Sequence, residues 1–296
     1  MKLYYLNKKE RVIRAFFIFI RNVSFMKKVY LFLVSIFIGL SLPNCAYSES
    51  VDAYLKLGIG VQGFGYQEFN EQNVLLDRED GLLPGFTMEL GKSGPSVSAA
   101  LRIELFDGLV DYDGQTQSGI PLTTNTDERI TTFEALRRLK VEALVAGDGV
   151  FIAGLGRRGW RRTIRATNIT SSLFEVYRWK YLTVGGALTF LRRGKWSGDV
   201  DLRWLWPIDP TMSVKISGFD AVTLGLKSRS SARLAFNFRF VTNVGQEWVI
   251  SPYWESWNLG RSDDERLMVG GVPTASTVHE PRNETRVGGV TVTVRL

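Results

Sequence analysis

The sequence predicts an all-β protein: an antiparallel, up-and-down transmembrane β-barrel of about ten strands, with twelve as the alternative. Three observations carry this. Runs in which apolar and polar residues alternate recur along the chain, and they are joined in turn by very short and by long polar connections. After the first fifty residues, no segment is apolar over the ~20 positions that a membrane-crossing helix needs. A chain that crosses lipid without such helices must pair every backbone group in a closed barrel.

The chain divides into a leader, residues 1–48, and a single barrel domain, residues 49–296. From Met26 the leader reads Met-Lys-Lys, then an apolar run from Val29 to Leu42, then Ala46-Tyr47-Ser48 before Glu49. That is the charged start, apolar middle and small-x-small cleavage site of a secretory signal peptide over residues 26–48. The basic and aromatic stretch before Met26 reads as an extended leader or as an upstream start. Cys45, the single cysteine, follows Pro43-Asn44 rather than a small residue, so it makes a poor lipid-attachment site and leaves with the leader. Disulfides and thiol catalysis go with it.

The whole chain has a formal charge of +7, but eight of its 37 Lys and Arg and only one of its 30 acids lie in residues 1–48. The remaining 29 basic and 29 acidic residues balance. The basicity belongs to the leader, so nucleic acid is excluded as a partner.

The first strand sets Val51, Ala53, Leu55, Leu57, Ile59 and Val61 against Asp52, Lys56 and Gln62. Phe86, Met88 and Leu90 alternate with Thr87 and Glu89 up to the Lys92-Ser93-Gly94-Pro95 turn. Val97, Ala99, Leu101, Ile103 and Leu105 then alternate with Ser98, Arg102 and Glu104, so the two runs form a hairpin. Val141, Ala143 and Val145 enter Gly147-Asp148-Gly149, and Phe151, Ala153 and Leu155 leave it. Val200 to Trp206 alternate with Asp199, Asp201 and Arg203, and Leu234 to Phe240 with Arg233, Asn237 and Arg239. Long polar connections are expected at about 67–81, 108–127, 163–174, 207–221 and 260–284, on the side opposite the short turns. Tyr177, Trp179, Tyr181, Trp204, Trp206, Trp248, Tyr253, Trp254 and Trp257 are expected in the two aromatic girdles at the membrane boundaries. An aromatic core of a soluble barrel is the alternative.

The chain ends Arg286-Val-Gly-Gly-Val-Thr-Val-Thr-Val-Arg-Leu296, with Val290, Val292, Val294 and Leu296 on one face. This segment resembles the closing strand of small bacterial outer-membrane β-barrels of the porin-like, OmpW-like or opacity-like kind, although Leu296 stands where Phe or Trp is usual. Asp111–Gly119 and Glu280–Thr285 are similar to segments of uncharacterised members. The resemblance implies a Gram-negative outer membrane, an assembly-signal role for the last strand read by the barrel-assembly machinery, and contact with outer-membrane lipid and lipopolysaccharide. It implies no reaction and no transported molecule.

If the apolar faces meet lipid, Lys56, Glu89, Arg102, Glu104, Asp199, Asp201, Arg203, Arg233, Arg239 and Arg295 point into the lumen. They form either a plug of paired charges, as befits a barrel only slightly wider than eight strands, or a narrow path for small anions. A second cluster, Arg157, Arg158, Arg161, Arg162 and Arg165 around Trp160, falls at the outer end of its strand. It suits lipopolysaccharide phosphates, or else a solvated edge. A surface-binding role through the loops is the other functional reading. The one histidine, His279, has Ser276 and Glu280 nearby in sequence, a spacing that makes no triad. Asp263-Asp264-Glu265 solvates a loop or binds Ca²⁺ loosely. No enzyme activity, cofactor or resident metal is expected, an outer-membrane lipid-modifying enzyme being the last alternative.

Overall fold

The computed structural model describes residues 52–116, 119–141 and 148–296; the leader and its cleavage site lie outside them. The strands are β1 (Asp52–Phe69), β2 (Leu75–Ser93), β3 (Val97–Gln115), β4 (Pro121–Val141), β5 (Gly149–Ile164), β6 (Leu173–Arg193) and β7 (Trp196–Lys215). They continue as β8 (Val222–Gly225), β9 (Lys227–Ser228), β10 (Ser231–Val241), β11 (Glu247–Gly260), β12 (Glu265–Val269), β13 (Val272–Val278) and β14 (Arg282–Arg295). Neighbours pair antiparallel in chain order, and β14 closes the ring on β1, with Val290 opposite Val61. The pieces β8, β9 and β10 together make one interrupted stave between β7 and β11. The barrel therefore has ten staves, and twelve is excluded.

Period-two alternation sets the two faces. Ile59, Leu82, Leu101 and Phe133 point outward and are exposed, while Gln62, Leu83, Glu104 and Glu134, one or three residues away, are buried inside. The short turns after β2, β6 and β10 share one end with both ends of the ring, at β1 and β14; the longer connections share the far end. There β12 and β13 form a separate hairpin, turned by Gly270 and Gly271, both left-handed at φ 57° and 78°. Two positive-φ glycines give the turn the twist a tight hairpin needs.

Two expectations need correction. The strands run to 21 residues rather than about ten, so most of 67–81, 108–127 and 207–221 is strand, while 163–174 is mostly the expected connection between β5 and β6. Polar composition there marks outward faces that leave the apolar band, not broken pairing. The aromatic residues also divide by parity: Trp204, Trp206, Trp248 and Trp254 point outward, whereas Tyr177, Trp179, Tyr181, Tyr253 and Trp257 are buried in the lumen. The latter five are spaced evenly from Glu175 and Glu255, which also face inward, so they cannot serve a girdle.

Candidate functional site

The lumen has four levels. At the terminal end lies a cavity of about 320 Å³, and all ten of the predicted inward residues line it: Lys56, Glu89, Arg102, Glu104, Asp199, Asp201, Arg203, Arg233, Arg239 and Arg295. Most are paired. Lys56 lies 3.4 Å from Glu247, Glu89 accepts from Tyr54 at 2.8 Å and Arg138 at 3.1 Å, and Asp199 holds Arg239 and Asn237. Arg295 stacks over Tyr54 at 4.7 Å.

Above the cavity a belt of alternating charge crosses the lumen. Asp201, Arg203, Glu134, Arg102, Glu104, Arg233, Glu255 and Arg158 follow one another at successive separations of 3.0, 3.5, 3.5, 2.8, 3.5, 2.7 and 2.6 Å. Four acids meet four guanidiniums, so the belt is neutral when all are ionised. Arg158 also lies 4.4 Å above the Trp257 ring and Arg233 4.3 Å above Tyr253, which gives each cation an aromatic face as well.

Toward the far end the lumen fills with rings. Phe64, Tyr66, Leu83, Phe106, Ile130, Trp160, Tyr177 and Trp257 belong to one buried cluster. Trp160 stacks on Tyr177 at 4.5 Å and meets Tyr66 edge-on at 5.2 Å. Small residues opposite make room: a Cβ on Gly156 would lie 2.1 Å from the Tyr181 ring, and one on Gly85 2.2 Å from Phe106.

Beyond the rings, Arg162 is surrounded by carboxyls. Glu68, Glu79 and Glu175 lie 2.9 Å away, Asp77 3.2 Å and Glu128 4.0 Å. Tyr66 donates to Glu68, Trp160 to Glu128, Thr126 to Glu79 at 2.7 Å, and Tyr177 to Glu280 at 2.6 Å. Burial, reinforced by Glu68 and Glu175, pushes the carboxyl of Glu280, in the connection before β14, well above its ordinary range. Among the described residues, no three His, Cys, Asp or Glu are arranged to hold a metal ion.

The arginine cluster of β5 splits. Arg158 and Arg162 are only 4% and 1% exposed and face the lumen, so they cannot meet lipopolysaccharide. Their parity is that of Trp160, which is itself wholly buried. Arg157 and Arg161 face outward and are exposed, and Arg165 is exposed and bridged to Asp127 at 2.8 Å. On β14, Val290, Val292 and Val294 face outward. His279 sits 3.1 Å from Asp264, and among the described residues no hydroxyl bonds to its ring. Sequence reasoning missed Glu134, Arg138, Glu255 and the carboxyls around Arg162. Their signal was parity with a known inward residue, since Glu134 stands opposite Arg102 and Glu255 opposite Arg233 in the strand register.

No family model matches the chain, and no curated protein does. Among solved structures, the outer-membrane protease OmpT from Escherichia coli is similar with a TM-score of 0.52 and 11% identity, over 85% of this chain and 98% of that one. The chain has the fold of a bacterial outer-membrane β-barrel. Other such barrels align more loosely: Neisserial surface protein A at a TM-score of 0.35 and 6% identity (83% and 98% covered), and AlkL at 0.38 and 9% (86% and 94%). At these identities the likeness speaks for the fold alone.

Proposed function

We propose that this is an exported outer-membrane barrel with a closed lumen, a structural scaffold that acts at its outer surface rather than conducting solutes. The carrying observation is the sequence of fillings above the 320 Å³ cavity: a neutral charge belt, a buried aromatic layer and the Arg162 carboxyl cluster, one behind another. A water path for small anions would need inward arginines free of partners. Here Arg102, Arg203, Arg233 and Arg239 each contact an acid at 3.5 Å or less. In a ten-stave barrel the interior is narrow enough for side chains to fill it.

On this reading the segment 26–48 directs export, the face Val290, Val292, Val294 and Leu296 serves the assembly machinery, and the end bearing the β12–β13 hairpin faces the outside. OmpT is a protease; we assign no reaction to this chain. The test is topological. Trypsin added to intact cells should cut at the exposed Arg266 in the hairpin and leave the barrel whole. Cleavage there only after the outer membrane is permeabilised would reverse the orientation.

A further inference from the structure

The outward face of β5 and β6 carries four exposed cations, Arg157, Arg161, Arg178 and Lys180. Among the described residues none of them has an ion-pair partner. The strand register brings them together: Arg157 stands directly opposite Lys180, and Arg178 opposite Gly159, which lies between Arg157 and Arg161 on β5. Like charges directly opposite on neighbouring strands are destabilising unless something anionic lies between them. At the centre of the group, a Cβ on Gly159 would meet nothing within 4 Å, so the floor is flat and open. Thr131 of β4 flanks that floor from the other side.

The height of the group on the barrel is set by its neighbours. Below it, the outward row of β5 reads Leu155, Ala153, Phe151, that of β6 Val184, Leu188, Phe190, and that of β7 Trp206, Trp204, Leu202. These are lipid-facing rows with an aromatic margin, and the cations begin where they stop. On the outer-membrane reading proposed above, on which this inference rests, that is the headgroup level of the outer leaflet.

We infer that Arg157, Arg161, Arg178 and Lys180 form a binding site over Gly159 for the phosphate of an outer-leaflet glycolipid. Arg forks match phosphate oxygens in pairs. A phosphate on the open floor places its charge among three guanidiniums and relieves the Arg157–Lys180 opposition. The acyl chains of such a lipid then lie along the apolar rows beneath. The site keeps Arg157 and Arg161 of the cluster legible in the sequence, gives up the buried Arg158 and Arg162, and adds two residues of the next strand.

The test uses the full mature barrel, folded in non-ionic detergent and checked by its mobility shift on unheated gels. The probes are bisphosphorylated lipid A, its dephosphorylated form and inorganic phosphate. Wild type should retain the bisphosphorylated lipid at least about tenfold more tightly than the dephosphorylated one, with retention falling as salt rises. The quadruple variant Arg157→Gln, Arg161→Gln, Arg178→Gln, Lys180→Gln should abolish that preference, and so should Gly159→Asp alone, which sets a carboxylate on the floor. A control pair elsewhere on the barrel, Arg78→Gln with Arg286→Gln, should leave it intact. Unchanged retention by the quadruple variant or by Gly159→Asp overturns the site, as does binding of inorganic phosphate as tight as that of the lipid. Phosphate-selective retention by a protein that fractionates outside the outer membrane would uphold the site and overturn the location.

Discussion

Glu255 is the place where the charge belt should fail most visibly. Its two oxygens hold Arg158 at 2.6 Å and Arg233 at 2.7 Å, and the residue is 2% exposed. Replacing it by Met keeps the volume and removes the charge. Arg233 still has Glu104 at 3.5 Å, but Arg158 is left with the Thr132 hydroxyl and the Trp257 ring. One buried guanidinium is then uncompensated, which costs roughly 3–5 kcal/mol. Removing both charges, with Arg158→Met added, takes away the orphan along with its partner and should recover most of that loss. The pair should thus show a coupling energy of up to about 3 kcal/mol in a double-mutant cycle. Equilibrium unfolding in urea, followed by tryptophan fluorescence and by the fraction migrating as folded barrel, measures it. A Glu255→Met barrel within about 1 kcal/mol of wild type, or losses that simply add, would refute the claim that these charges are held in one buried network.

Other outcomes follow from the same geometry. Val292→Asp with Val294→Asp puts two charges on the lipid face, where a midplane charge costs up to ~2–4 kcal/mol, acids less, and should block insertion as read by loss of the heat-modifiable band. Gly156→Val drives a side chain into the Tyr181 ring and should cost about 1–3 kcal/mol by overpacking, seen in the unfolding midpoint. The raised carboxyl of Glu280 binds its proton more tightly folded than unfolded, so its contribution to stability is present below the ordinary carboxylate range and is lost as pH climbs through its raised value. Glu280→Gln should therefore flatten part of the fall in thermal midpoint with rising pH. An identical pH slope in wild type and variant would show that Glu280 titrates normally.

The fold was readable because period two is a strong signal where one face meets lipid: Leu101, Ile103 and Leu105 against Arg102 and Glu104 could not be mistaken. Ten staves were legible for the same reason, although the stave broken into β8, β9 and β10 gave no clean alternation. Strand ends were not legible, since above the lipid the outward face turns polar, as at Arg78 and Asp80, and composition then looks like loop. The interior was half legible. Cations such as Arg102 and Arg203 declared themselves by alternating with Leu and Trp. Arg162 and Trp160 did not, because Arg157, Arg158, Arg161 and Arg162 place cations on both faces and adjacent arginines conceal their parity. The carboxyls that gather on Arg162 come from β1, β2, β4 and β6, and no local pattern brings those together.

The central claim is that the lumen is closed, and single-channel recording on the refolded wild-type barrel in a planar bilayer tests it most directly. The structure predicts no stable conductance steps in either polarity, because the belt and the ring layer stand between the cavity and the far end. Reproducible steps with anion preference, reversed when Arg102, Arg203 and Arg239 are changed to Glu in a barrel that stays folded, would contradict it.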